Sequence, residues 1–150
     1  MKLAEALSLR KDLQKKIDQL SSRLNQNVKI QEGDEPAEQP EELLKELDGC
    51  LNQLKDLILR INITNLHHEC DGRTLTDMIA ERDVLTKRIS ILRGIFDTLS
   101  QGQERYSRTE IKYVSTIDIK VLNKQIDCYS QQLRKLDMQI QAANFEVELE

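Results

Sequence analysis

Four stretches of this chain repeat apolar residues at alternating steps of three and four, and that spacing constrains the fold more than any other feature. The first runs Leu3, Ala6, Arg10, Leu13, Ile17, Leu20, Leu24, and the second Leu44, Leu47, Leu51, Leu54, Ile58, Ile61, Asn65. The third is Leu75, Met78, Arg82, Leu85, Ile89, Leu92, Phe96, Leu99, and the fourth Leu122, Ile126, Tyr129, Leu133, Leu136, Ile140, Ala143. Steps of this kind keep a narrow stripe on one helix face. The spacing therefore predicts helices over about residues 2–26, 40–66, 75–100 and 117–143.

Start signals agree with those bounds. Pro40 followed by Glu41 and Glu42 suits a first helical turn. Thr74-Leu75-Thr76-Asp77 reads as a capping-box variant, and Ser115-Thr116-Ile117-Asp118 offers the same signal. Helices of this size are each about 37 Å long, and near-equal lengths favour an all-α, antiparallel four-helix bundle built as one domain over 1–150.

Two connections are long for such a bundle, about Asn27 to Gln39 and about Gln101 to Thr116. Val28-Lys29-Ile30-Gln31 and Ile111-Lys112-Tyr113-Val114 have the β-branched and aromatic content of short strands and are expected to pair. The C-terminal tail alternates as well. Left unpaired, Phe145, Val147 and Leu149 would be exposed, which predicts pairing with a neighbouring subunit and hence a homo-oligomer.

The charge distribution narrows the partners. Net charge is -4, and Glu32 to Asp48 holds eight acids against Lys45 alone. Binding to nucleic acid calls for a basic stripe that releases counterions and, for single strands, for stacking aromatics. The chain has neither the stripe nor the aromatics, which make up 3% of its residues, so no nucleic-acid partner is expected. Cys50, Cys70 and Cys128 form no C-x-x-C pair, and Met1-Lys2-Leu3-Ala4-Glu5 carries no apolar export run, so the expected location is cytoplasmic. No window approaches the roughly 20 apolar residues of a membrane helix, so no stable insertion is expected.

Several strings carry a family resemblance: Gln31-Glu32-Gly33-Asp34-Glu35-Pro36, Arg60-Ile61-Asn62-Ile63-Thr64-Asn65 and Asp71-Gly72-Arg73-Thr74-Leu75-Thr76-Asp77. Arg82-Asp83-Val84-Leu85, Arg105-Tyr106-Ser107-Arg108, Val114-Ser115-Thr116-Ile117-Asp118 and Ile140-Gln141-Ala142-Ala143-Asn144-Phe145 extend it over nearly the whole chain. Together they resemble a family of small bacterial helical proteins labelled septicolysin. The label implies a cytolysin.

Polar constellations supply the remaining candidates. His67, His68 and Cys70 crowd one loop as possible metal ligands, although adjacent side chains seldom converge on one ion. Arg105, Tyr106 and Arg108 offer two guanidinium forks for an acidic partner, with the Glu32 to Glu42 run expected at the same end. Arg10 and Arg82 interrupt apolar stripes and are expected to share a polar layer, with partners drawn from residues such as Asn62 and Asp83. Asn65 and Asp77 complete the polar candidates. No catalytic motif occurs and no cofactor is expected. The chain reads as a non-enzymatic, self-associating scaffold or interaction protein. The alternatives are a membrane-active lysin and a small-ligand, anion or metal-binding protein.

Overall fold

Each apolar stripe lies on a helix of the computed structural model, which describes residues 1–101 and 111–150. The helices are α1 (Leu3–Asn27), α2 (Pro40–His67), α3 (Leu75–Ser100) and α4 (Ile119–Glu146). Between α2 and α3 lie two short strands, β1 (Glu69–Cys70) and β2 (Arg73–Thr74), paired antiparallel with Glu69 opposite Thr74. The chain is thus mostly helical, as the periodicity predicts.

Local chemistry sets the element ends. At the start of α1, the Glu5 carboxylate accepts from the Lys2 backbone amide at 2.9 Å. At its end, the buried Asn27 donates to the Arg23 carbonyl at 2.7 Å and accepts from the Glu38 amide at 3.0 Å. One side chain thereby closes the helix and pins the far end of the following loop. Pro40 opens α2, with Glu41 and Glu42 in its first turn. Helix α4 begins two residues later than the stripe predicts, because Asp118 is the residue that caps it, accepting from the Lys120 amide at 2.9 Å.

The strands correct a second expectation. Residues 28–31 and 111–114 form no strand, and the hairpin sits in the polar loop after α2. Asp71 and Gly72 both have positive φ, 52° and 78°, the backbone of a two-residue primed turn, whose twist matches that of paired strands. Turn chemistry therefore outweighs β-propensity in placing these strands.

The described residues form two compact units, and the division falls within α3 and α4. The first comprises Met1–Thr76 with Gln141–Glu150, and the second Asp77–Ile140. In the first, α1 and α2 make a helical hairpin with Leu13, Leu20 and Leu24 of one helix and Leu43, Cys50, Leu57 and Ile61 of the other buried. Full burial of a leucine or isoleucine side chain contributes about 1.5–3 kcal/mol. Lys16 meets Glu46 at 2.9 Å on the exposed flank, where an ion pair adds little.

This core shifts the seam expected for α2. The buried register is Leu43, Cys50, Leu57 and Thr64, while Leu44, Leu51 and Ile58 are exposed at 49%, 43% and 36%. Leu47 and Leu54 are half-buried between the two registers and Ile61 belongs to the core, so α2 carries two seven-residue seams side by side. The wide apolar face obscures which seam faces α1.

In the second unit, α3 buries Leu85 and Ile89, and α4 buries Leu122, Ile126, Leu136 and Ile140. The Arg88 guanidinium lies 5.0 Å from the Tyr129 ring centre, a cation–π contact joining the two helices.

Candidate functional site

Two features of the first unit are built from chemically specific contacts: a clasp between the chain ends and the outer seam of α2. In the clasp, the Leu3 amide donates to the Val147 carbonyl and the Leu149 amide to the Met1 carbonyl, each at 2.9 Å. Lys2 and Glu148 thus form an antiparallel bridge. Lys2 Nζ meets the Glu148 carboxylate at 2.7 Å and donates to the Glu146 carbonyl at 2.9 Å. The Met1 amino nitrogen reaches the same carboxylate at 3.1 Å. These donors hold the Glu148 carboxyl below its ordinary pKa, the Lys2 hydrogen bond being the first cause.

The tail next docks on the end of α2. The Glu150 amide donates to Thr64 Oγ1 at 3.0 Å, and that hydroxyl donates to the Arg60 carbonyl at 2.9 Å. Arg60 Nε donates to the Glu150 carbonyl at 2.6 Å, and His67 Nδ1 lies 2.8 Å from the Glu150 carboxylate. Val147 and Leu149 are buried by this docking. The expectation that the tail pairs with a neighbouring subunit is therefore corrected: it pairs with its own chain, through a backbone ladder the alternation could not assign. Phe145 stays 68% exposed.

The polar candidates fall in separate places. His67 is engaged by Glu150. The His68 carbonyl accepts from the Leu75 amide at 3.1 Å, and Cys70 lies half-buried on β1. Among the described residues, no group of three or more His, Cys, Asp or Glu side chains gathers as a metal cluster would. Arg82 does not occupy a dry core. Its side chain is 34% exposed and reaches the adjacent Asp83 at 3.0 Å, because a long stem can lie along the seam with its head in water. Arg10 is half-buried on α1, Asn62 is exposed on α2 and Asp77 lies in the first turn of α3. Arg105, Tyr106 and Arg108 lie outside the described residues. Within the acid run expected to face them, Glu38 is claimed by a two-pronged contact from Arg23, whose hydrogen bond holds the Glu38 carboxyl below its ordinary pKa.

Two residues take places that the apolar stripes alone do not fix. Thr64 is 1% exposed and joins the tail to α2. Its seven-residue spacing from Leu57 is the available signal. Leu51 belongs to a seam, as the stripe predicts, but to the outer one rather than to the chain's own core.

On the outer face of α2, Leu44, Leu51, Ile58 and Asn65 repeat at seven-residue intervals. The first three are open, and Asn65 Oδ1 is buried without a hydrogen-bond partner among the described residues. A second apolar seam at coiled-coil spacing is the arrangement that receives another helix.

A family model matches residues 10–149. The chain belongs to that family, DUF6847, a family of unknown function. A crystal structure described as that of a functionally unknown conserved protein from Corynebacterium diphtheriae is similar, at 42% identity and a TM-score of 0.93. The likeness covers 100% of this chain and 99% of that one. No curated protein matches. Among the described residues, no helix of this DUF6847 member is long and apolar enough to cross a membrane.

Proposed function

We propose that this protein is a non-enzymatic, self-associating helical module that pairs with a second copy of itself through the outer seam of α2. The observation that supports the reading is the half-open row Leu44, Leu51, Ile58 at heptad spacing. The four stripes by themselves suit an antiparallel four-helix bundle, and the outer seam gives that bundle a place to associate.

Charge favours a two-fold arrangement. If two α2 helices cross antiparallel about Leu51, Leu44 meets the partner's Ile58 and Leu51 meets the partner's Leu51. The same register brings Asp48 beside the partner's Lys55, and the symmetry repeats that pair. Apolar contact supplies the affinity, and the two ion pairs select the register.

Light scattering on a sizing column tests this directly. The expected mass is a multiple of 17.4 kDa. Leu51→Glu should yield a helical species of 17.4 kDa, because residue 51 is tolerant of charge within one chain. Lys55→Asp should weaken association, and adding Asp48→Lys should restore it. An unmutated protein that stays at 17.4 kDa across micromolar concentrations overturns the reading. The septicolysin-type alternative makes a separate forecast, dye release from liposomes, and release that survives Leu51→Glu would favour it.

A further inference from the structure

The second unit contains a cleft of about 530 Å³ between α3 and α4. Its α3 wall is Ser90, Arg93, Gly94 and Asp97, which share a helix face by their spacing of three and four. Ser130 and Arg134 supply the facing wall on α4. The floor is apolar, with Ile89 buried.

Three observations mark this as more than a gap in packing. First, Arg93 and Arg134 both line it, and neither has an ion-pair partner among the described residues. Second, Ser130 is half-buried in this lining with its Oγ closed off and without a hydrogen-bond partner among the described residues, a state with a free-energy cost that a turn of χ1 toward a ligand oxygen would relieve. Third, a Cβ built on Gly94 meets nothing within 4 Å, so the glycine keeps space open that a larger side chain could fill.

We infer that this cleft binds a phosphate monoester, its dianion held by the Arg93 and Arg134 guanidiniums and the Ser130 hydroxyl. Two guanidinium forks match phosphate oxygens in number and geometry. The volume falls in the range of small-ligand sites and leaves room beyond the phosphate for an organic body on the apolar floor, which favours an ester over the bare ion. Asp97 opposes the dianion and sets its affinity below what the arginines alone would give. This site lies on elements that the α2 seam does not use, so either reading can fail without the other.

Calorimetry with the full chain tests it, using glycerol 3-phosphate, inorganic phosphate and vesicles containing phosphatidic acid as probes. Glycerol 3-phosphate should bind more tightly than inorganic phosphate. Arg93→Gln and Arg134→Gln should each weaken it at least about tenfold, since each removes a charge-assisted fork. Asp97→Asn should tighten it several-fold. Gly94→Leu should abolish binding while the helical circular dichroism signal is kept, which separates occlusion from unfolding. If vesicles alone bind, and both arginines are required, the phosphate belongs to a lipid headgroup and the site stands. The inference is overturned if no probe binds, if binding survives Gly94→Leu, if either arginine is dispensable, or if inorganic phosphate binds as tightly as the ester.

Discussion

The α1/α2 hairpin and the α3/α4 pair are built from the same kind of sequence, two long amphipathic helices each, yet they solve packing differently. In the first unit the inner seam is filled from Leu13 to Leu24 against Leu43 to Ile61, and both ends of α2 are tied by side-chain contacts: Arg23 and Asn27 on Glu38 at one, Thr64 and Arg60 on Glu150 at the other. In the second unit a glycine interrupts the facing surface and two arginines line an open cleft. Heptad spacing thus specifies that helices pair, while the small and polar residues placed along the seam specify how completely they close.

The contrast is tested most strongly at Leu20, which is 0% exposed in the centre of the α1 seam. Leu20→Ala removes buried methyl groups and leaves a cavity, so it should lower unfolding free energy by about 2–5 kcal/mol. Urea denaturation followed by circular dichroism measures this. A loss below about 1 kcal/mol would mean that the hairpin core relaxes as easily as an open cleft, and the contrast between the units would collapse.

Gly94→Ala probes the other side, with a more modest effect of opposite sign. The glycine is helical and the added Cβ meets nothing within 4 Å, so the substitution should stabilise by about 0.5–1 kcal/mol through backbone entropy. A destabilised Gly94→Ala protein would show that close packing at residue 94 matters and that the cleft is narrower than its lining implies.

Helix existence is legible from the apolar steps because each stripe is long and regular, and the bounds of α1, α2 and α3 fall within about two residues of where periodicity puts them. The seam of α2 is not, because Leu43 and Cys50 on one side and Leu44 and Leu51 on the other offer two apolar registers one residue apart, and only contact with α1 decides between them. The clasp is hidden for a different reason. Val147 and Leu149 advertise a strand, but a ladder is a pairing between distant residues, and nothing in the local alternation names Met1 and Leu3 as the partners. The cleft is hidden too, since Arg93 and Arg134 are ordinary surface residues in sequence and become a pair only when α3 and α4 face each other.

The weakest effect belongs to the clasp. Glu148 is exposed, so its contacts with Lys2 and Met1 are screened and contribute modestly, but they are pH-dependent with a definite sign. Its folded pKa is lowered, mainly by the Lys2 hydrogen bond, so the clasped state holds the proton less tightly than the unfolded chain does. The stabilisation is therefore complete above the carboxyl's ordinary range and is lost as pH falls through the depressed folded value. Glu38, lowered by the Arg23 hydrogen bond, adds a change of the same direction at the other end of the hairpin. Lys16, raised by its hydrogen bond to Glu46, acts only at high pH and leaves the acid side to the carboxylates. Hydrogen exchange of the Leu149 amide, which donates to the Met1 carbonyl, reads the clasp alone, whereas exchange of the Leu20 amide in mid-α1 reads the hairpin core. Measured as protection relative to the intrinsic rate at each pH, acidification should lower protection at Leu149 before it affects Leu20, and Glu148→Gln should remove most of that acid dependence while leaving Leu20 unchanged. If the two amides respond together, the clasp and the core open as one unit, and the tail is as firmly held as the helices it joins.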